Sequence, residues 1–150
     1  MPDKHLSSQF DSDLNHVSAR LLELGGLVES QLRQAIYALS EFSTEVAQQV
    51  QETESRVNAM ELEIDRELTS IIARRQPTAV DLRLLLAISK TTANLERVGD
   101  EAAKIARMVK SIIDSGSARK LPAYELRVAA DMAAEQLRKV LDAFARLDTE

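Results

Sequence analysis

An all-α fold is expected here, an elongated three-helix bundle plus a fourth helix that opens a second, truncated three-helix repeat. Three observations carry this expectation. The 150 residues are 45% apolar and 29% charged, Gly and Pro number only 4 and 3, and apolar residues recur at alternating steps of four and three along the chain. Few turn formers and long runs of helical periodicity favour a small number of long elements.

The first helix is marked by Phe10, Leu14, Val17, Leu21, Leu24 and Val28, with the pattern drifting to Leu32, Ile36 and Leu39. Gly25 and Gly26 interrupt helix propensity without breaking the period, which points to close packing or a slight bend. The second helix runs from about Thr44 to Arg74, with Ser43 as its N-cap and Val50, Val57, Ile64 and Ile71 seven apart. The third follows Gln76-Pro77-Thr78, where Pro77 discourages continuation and Thr78 with Asp81 forms a capping-box pattern. Its seam reads Leu84, Ile88, Thr91, Leu95, Val98, Ala102, Ile105, Val109 and Ile112, and Gly116 ends it. A polar connection from Ser115 to Lys120 leads past Pro122 to a fourth helix, seamed by Leu126, Ala130, Ala133, Leu137, Val140, Phe144 and Leu147.

Residues 32–45 (LRQAIYALSEFSTE) and 137–150 (LRKVLDAFARLDTE) match without gaps at an offset of 105 residues, with five identities. The fourth helix therefore reads as a repeat of the first. Residues 1–116 form one three-helix domain on this reading, and residues 121–150 supply the first helix of a second, incomplete one.

Composition narrows the chemistry. A net charge of −5, 3% aromatic residues and no Trp disfavour nucleic-acid binding. The absence of Cys removes disulfides, thiolate metal sites and Cys nucleophiles. The N-terminus lacks the apolar core of a signal peptide, and the apolar stretch from Leu82 to Ile88 is too short and charged to span a bilayer, so a cytoplasmic protein without membrane insertion is expected. There is no Gly-rich phosphate loop, nucleophile elbow or HExxH, and His5 and His16 read as surface residues without a nucleophile nearby. A carboxylate-bridged iron enzyme would need inward Glu-x-x-His motifs, which the chain lacks.

The residues left for chemistry are two acidic pairs, Glu61 with Asp65 and Glu96 with Asp100. Four positions on a helix turn about 40° and rise about 6 Å, so each pair projects from one face. Neither Glu61 nor Asp65 has a basic residue three or four positions away. Glu96 is equally bare, while Asp100 can reach Arg97 and Lys104. Asp131 and Glu135 look similar but are served by Arg127, Arg138 and Lys139, which reads as a solvated, salt-bridged face. Glu61 and Glu96 flank apolar stripes, where an uncompensated carboxylate is costly. Gly99 in mid-helix then reads as room for an ion. Counted from Pro77, the two pairs are offset by about 11 residues, roughly 16 Å of rise, so two neighbouring patches are expected. Two readings stand: cation binding, or ion pairs with Arg74, Arg75 or Arg83 from across the bundle.

The run from Ile72 to Arg83 (IARRQPTAVDLR), then Ile88-Ser89-Lys90, Leu95-Glu96-Arg97-Val98-Gly99-Asp100 and Asp142-Ala143-Phe144-Ala145-Arg146, resembles the PhoU family. That resemblance implies paired three-helix bundles with acidic motifs that bind iron or other transition metal ions, with Glu61, Asp65, Glu96 and Asp100 matching those of the first half; the chemistry of the ligands leaves iron, manganese, zinc or magnesium open. It implies a non-enzymatic negative regulator of the phosphate-starvation response, coupling a phosphate ABC transporter to a sensor histidine kinase at the cytoplasmic side of the inner membrane. An uncovered fourth-helix seam favours a homodimer or an exchanged helix. The competing reading is a purely structural, oligomerising bundle without metal.

Overall fold

The computed structural model describes residues 2–116 and 123–147, with side chains over 8–116 and 127–146. Four helices follow in order, α1 (Pro2–Glu41), α2 (Thr44–Arg75), α3 (Ala79–Asp114) and α4 (Ala123–Leu147). At 1.5 Å per residue α1 is about 60 Å long, and the bundle is correspondingly elongated. Helices α1, α2 and α3 pack against one another, whereas α4 packs on α1 alone among the described residues.

The turns follow from local chemistry. Helix α1 ends where Phe42 takes φ 51° and Ser43 N–H donates to Ala38 C=O at 3.1 Å, closing a Schellman turn with Phe where Gly is usual. Ser43 Oγ then accepts from Val46 N–H at 3.2 Å and caps α2. Gln76 leaves α2 with φ 45°, and Thr78 starts α3, its Oγ1 donating to Asp81 Oδ2 at 3.0 Å. Gly116 has φ 69°, and its N–H donates to Ile113 C=O at 3.1 Å just past α3.

Large side chains fill one end of the bundle. Val17, Leu21, Leu24, Val28, Val57, Ile64, Leu85, Ile88 and Leu95 are buried there. The end nearer the α1–α2 turn holds smaller ones, Ala35, Ala38, Ala47, Val50, Ala102, Ala106 and Val109. Smaller side chains let the helices approach more closely, so the packing changes character midway. At that change sit Gln31, 0% exposed, and buried Gly99.

Three seams differ from their sequence-based reading. On α3 the buried line is Leu85, Ile88, Thr92, Leu95, Gly99, Ala102, Ala103, Ala106 and Val109, so Leu84 and Thr91 give way to their neighbours. Apolar residues cover more than one face of α3, and the small ones admit the closest approach. In the second half of α1, Gln31, Ala35 and Ala38 are buried while Leu32, Ile36 and Leu39 are only partly so, for the same reason. On α4, Ala134 and Leu141 are buried, while Ala133 is exposed and Val140 is 59% exposed. The connection from Ser117 to Pro122, the side chains of His5, Leu126 and Leu147, and residues 148–150 of the repeat match lie outside the described residues.

Gly25 explains how α4 docks. A Cβ at this position would overlap the side chain of Leu141, whereas one at Gly26 would meet nothing within 4 Å. The close packing expected at the Gly pair thus belongs to Gly25, which forms the socket for Leu141. Gly25→Ala should push α4 off α1 at a cost of about 1–3 kcal/mol. Faster amide exchange in α4 with an intact α1–α3 core is the expected readout, and Leu141→Ala in the same chain should recover part of the loss.

Candidate functional site

The α2–α3 hairpin decides which carboxylates meet. The two helices are antiparallel neighbours about Pro77, and Glu54 and Asp100 lie at equal separations from it along the chain. Each carboxyl shifts the other's titration through hydrogen bonding, so the two face one another across the helix pair. Glu96, one turn before Asp100, also bonds with it, and the charges of Glu61 and Asp100 act on one another across the helix pair. Glu54, Glu61, Glu96 and Asp100 therefore make one acidic cluster.

This overturns the expected pair of offset patches. Matching Asp65 with Asp100 overlooked Glu54, which is level with Asp100 and escaped notice because Asn58, not an acid, follows it at four residues. Asp65 is exposed and acts on Glu61, its neighbour on α2. The spacing of acids within one helix says nothing about register between helices. Counting outward from the turn at Pro77 would have found Glu54.

Burial and mutual repulsion set the electrostatics. Burial, then the hydrogen bond to Asp100 and the charges of Asp100 and Glu96, push the Glu54 carboxyl up to about 7 against the pull of Arg107. Glu96 is raised by burial and by Asp100, and Glu61 by burial, Asp65 and Asp100. Asp100 moves the other way, lowered first by the bond from Glu54. With both carboxyls ionised, the buried Glu54 Oε2 has no hydrogen-bond partner; a proton on Glu54 gives Asp100 something to accept.

The charges of Arg97, Lys104 and Arg107 act on Glu96, Asp100 and Glu54, but from beyond ion-pair distance. Among the described residues, none of the ion pairs within 4.0 Å involves Glu54, Glu61, Asp65, Glu96 or Asp100. Two of the three arginines named as possible partners, Arg74 and Arg75, are bonded elsewhere. Arg75 Nε donates to Asp13 at 3.0 Å, and Arg74 Nε to the Ser70 carbonyl at 3.4 Å. Nor do Arg127 and Arg138 serve Asp131 and Glu135 as expected. They reach back to Glu41 at 3.1 Å and Glu29 at 3.7 Å, because α4 lies against α1. His16 is on the surface as expected, but its Nε2 lies 3.1 Å from Glu67 Oε1, joining α1 to α2.

A cluster of carboxylate oxygens with an orphaned buried acceptor, and among the described residues no basic side chain within 4.0 Å, has the donor chemistry of a hard or borderline cation site. Among the described residues, no three His, Asp or Glu side chains are already arranged about one point as ligands. Gly99 is not the gap for an ion that its position suggested. A Cβ there would stand 3.0 Å from Gln31 Oε1 and 3.4 Å from Val57 Cγ1, so the missing side chain makes room for Gln31.

A PhoU domain model matches residues 21–109, which takes in all of these acids. The chain belongs to the PhoU family. It is 48% identical over 150 residues to a phosphate-specific transport system accessory protein PhoU homolog of Burkholderia sp, covering 99% of this chain and 64% of that relative. Against the Escherichia coli K12 accessory protein PhoU the identity is 42% over 149 residues, 99% of this chain and 61% of the other. The crystal structure of PhoU from Pseudomonas aeruginosa superposes with a TM-score of 0.86 at 44% identity, over 93% of this chain and 66% of that one. This PhoU chain thus spans less than two thirds of the length of these relatives.

The raised Glu54 value has a consequence for stability. Between the ordinary 4.5 and about 7 the folded state holds a proton that the unfolded chain has released. Stability is therefore highest at the acid end of that window and falls as pH rises through about 7. In chelator the melting temperature should drop by a few degrees between about pH 5.5 and 8, and Glu54→Gln should flatten that drop.

Proposed function

We propose that this PhoU-family protein is a regulatory adaptor of phosphate transport that binds a cation at Glu54, Glu61, Glu96 and Asp100 and performs no chemical reaction. The observation that carries the metal reading is a cluster of half-buried acids drawn from α2 and α3, none of them in an ion pair within 4.0 Å among the described residues. Asp65, part of the motif expected from sequence, sits at its exposed edge and tunes Glu61. The candidates are iron, manganese, zinc or magnesium, and a bound ion would neutralise charges that otherwise repel. Metal would also replace the proton on Glu54, so affinity should rise with pH.

The regulatory reading draws on relatives that carry the name phosphate-specific transport system accessory protein. In it the chain represses the phosphate-starvation response by linking the phosphate ABC transporter to the sensor histidine kinase on the cytoplasmic side of the membrane. No described helix is long and apolar enough to cross a bilayer, which suits association through other proteins. Helix α4 belongs to a second three-helix unit on this reading. Val128, Met132 and Val140 are exposed on it, offering apolar surface to further helices or to a second copy of the chain.

Metal analysis after loading with Mn2+ or Fe2+ tests the site. Wild type should retain the ion, and Glu54→Gln with Glu96→Gln should lose it. Equal metal content in both proteins would return the acids to plain surface charge and favour a purely structural bundle. Capture of the kinase's cytoplasmic region by the full-length protein tests the adaptor role, and failure to capture either kinase or transporter would end it.

A further inference from the structure

Gln31 stands out as a polar side chain placed where the core changes from large to small residues. It is 0% exposed, its Nε2 donates to the Val50 carbonyl at 3.2 Å, and its Oε1 is buried without a hydrogen-bond partner. Val50 lies one turn before Glu54 on α2. On the opposite side the Gln31 amide rests on α3 at Gly99, beside Asp100, where an added Cβ would come within 3.0 Å of Oε1. One side chain from α1 therefore grips the backbone of α2 and seats in a notch of α3, at the level where Glu54 meets Asp100.

Stability does not account for this arrangement. An apolar residue at position 31 would leave no orphaned acceptor, and Ala at position 99 would favour the helix. Two locally unfavourable choices occur together, next to the acidic pair. We propose that Gln31 is a positioning residue of the acidic site, fixing the separation and register of α2 and α3 so that Glu54 and Asp100 act on one cation. This rests on the metal reading above. A ligand-supporting group of this kind sets affinity without touching the ion, as outer-shell hydrogen bonds do at metal centres generally.

Mn2+ titration of three purified variants of the whole protein, each also melted without metal, provides the test. Gln31→Met keeps the volume and apolar fit but loses the bond to Val50. Gly99→Ala drives a methyl against the amide. Each should bind Mn2+ about tenfold more weakly or worse than wild type. Leu21→Ala, which opens the core about 15 Å away along α1, should melt lower yet bind Mn2+ as wild type does. Affinity within twofold of wild type for both Gln31→Met and Gly99→Ala would overturn the proposal. So would an equal loss in Leu21→Ala, since the effect would then follow general stability. Should one variant fail to fold, the other decides by the same criterion. A wild-type protein that binds no Mn2+, iron or zinc would sink the metal reading itself and this inference with it, an outcome distinct from wild-type binding that the variants leave unchanged.

Discussion

The buried contact of Gln31 with the Val50 carbonyl and with Gly99 ties α1 to both other helices of the core at one level. On one side of it the helices are held apart by Leu, Ile and Val; on the other they close over Ala and Val. Apolar contacts alone distinguish one register of packed helices from the next less sharply than a buried polar contact does. A single amide with one carbonyl to reach and one glycine to rest on discriminates between those registers, much as a buried polar residue does in a coiled-coil seam. Its unpaired Oε1 works against stability by roughly 1–3 kcal/mol, which the surrounding apolar burial offsets.

Register is also what creates the acidic site. No single helix contains it: Glu54 and Glu61 come from α2, and Glu96 and Asp100 from α3. Once the hairpin is set about Pro77, Glu54 and Asp100 are brought level, and burial makes their charges costly. Without a cation the protein answers with a proton on Glu54. On the cation reading proposed above, an ion would take the place of that proton.

Helix α4 is attached differently. It touches only α1 among the described residues, with Leu141 over Gly25 and with Arg127 and Arg138 reaching Glu41 and Glu29. The Arg127–Glu41 pair is exposed and contributes little, whereas Glu29 beneath Arg138 is largely buried; the apolar part of the docking comes from Leu141 and Ala134, with Leu137 and Phe144 packed on the core. The three-helix core and α4 can therefore respond separately to mutation or to a partner.

Much of this was legible in the chain. Helix periodicity, the Ser43 and Thr78 caps, the stop at Gly116 and the run around Pro77 specify four helices and their ends, because these signals are local and act through backbone geometry. Glu61 and Glu96 stood out for the same reason, as acids lacking basic neighbours three or four positions away on their own helix. Facing partners are another matter. Glu54 against Asp100, Gln31 against Gly99, Leu85 in place of Leu84, and Leu141 over Gly25 all depend on how whole helices are rotated and shifted against one another. That is settled by side-chain volumes summed over the interface, a property of the packed bundle that no single helix carries.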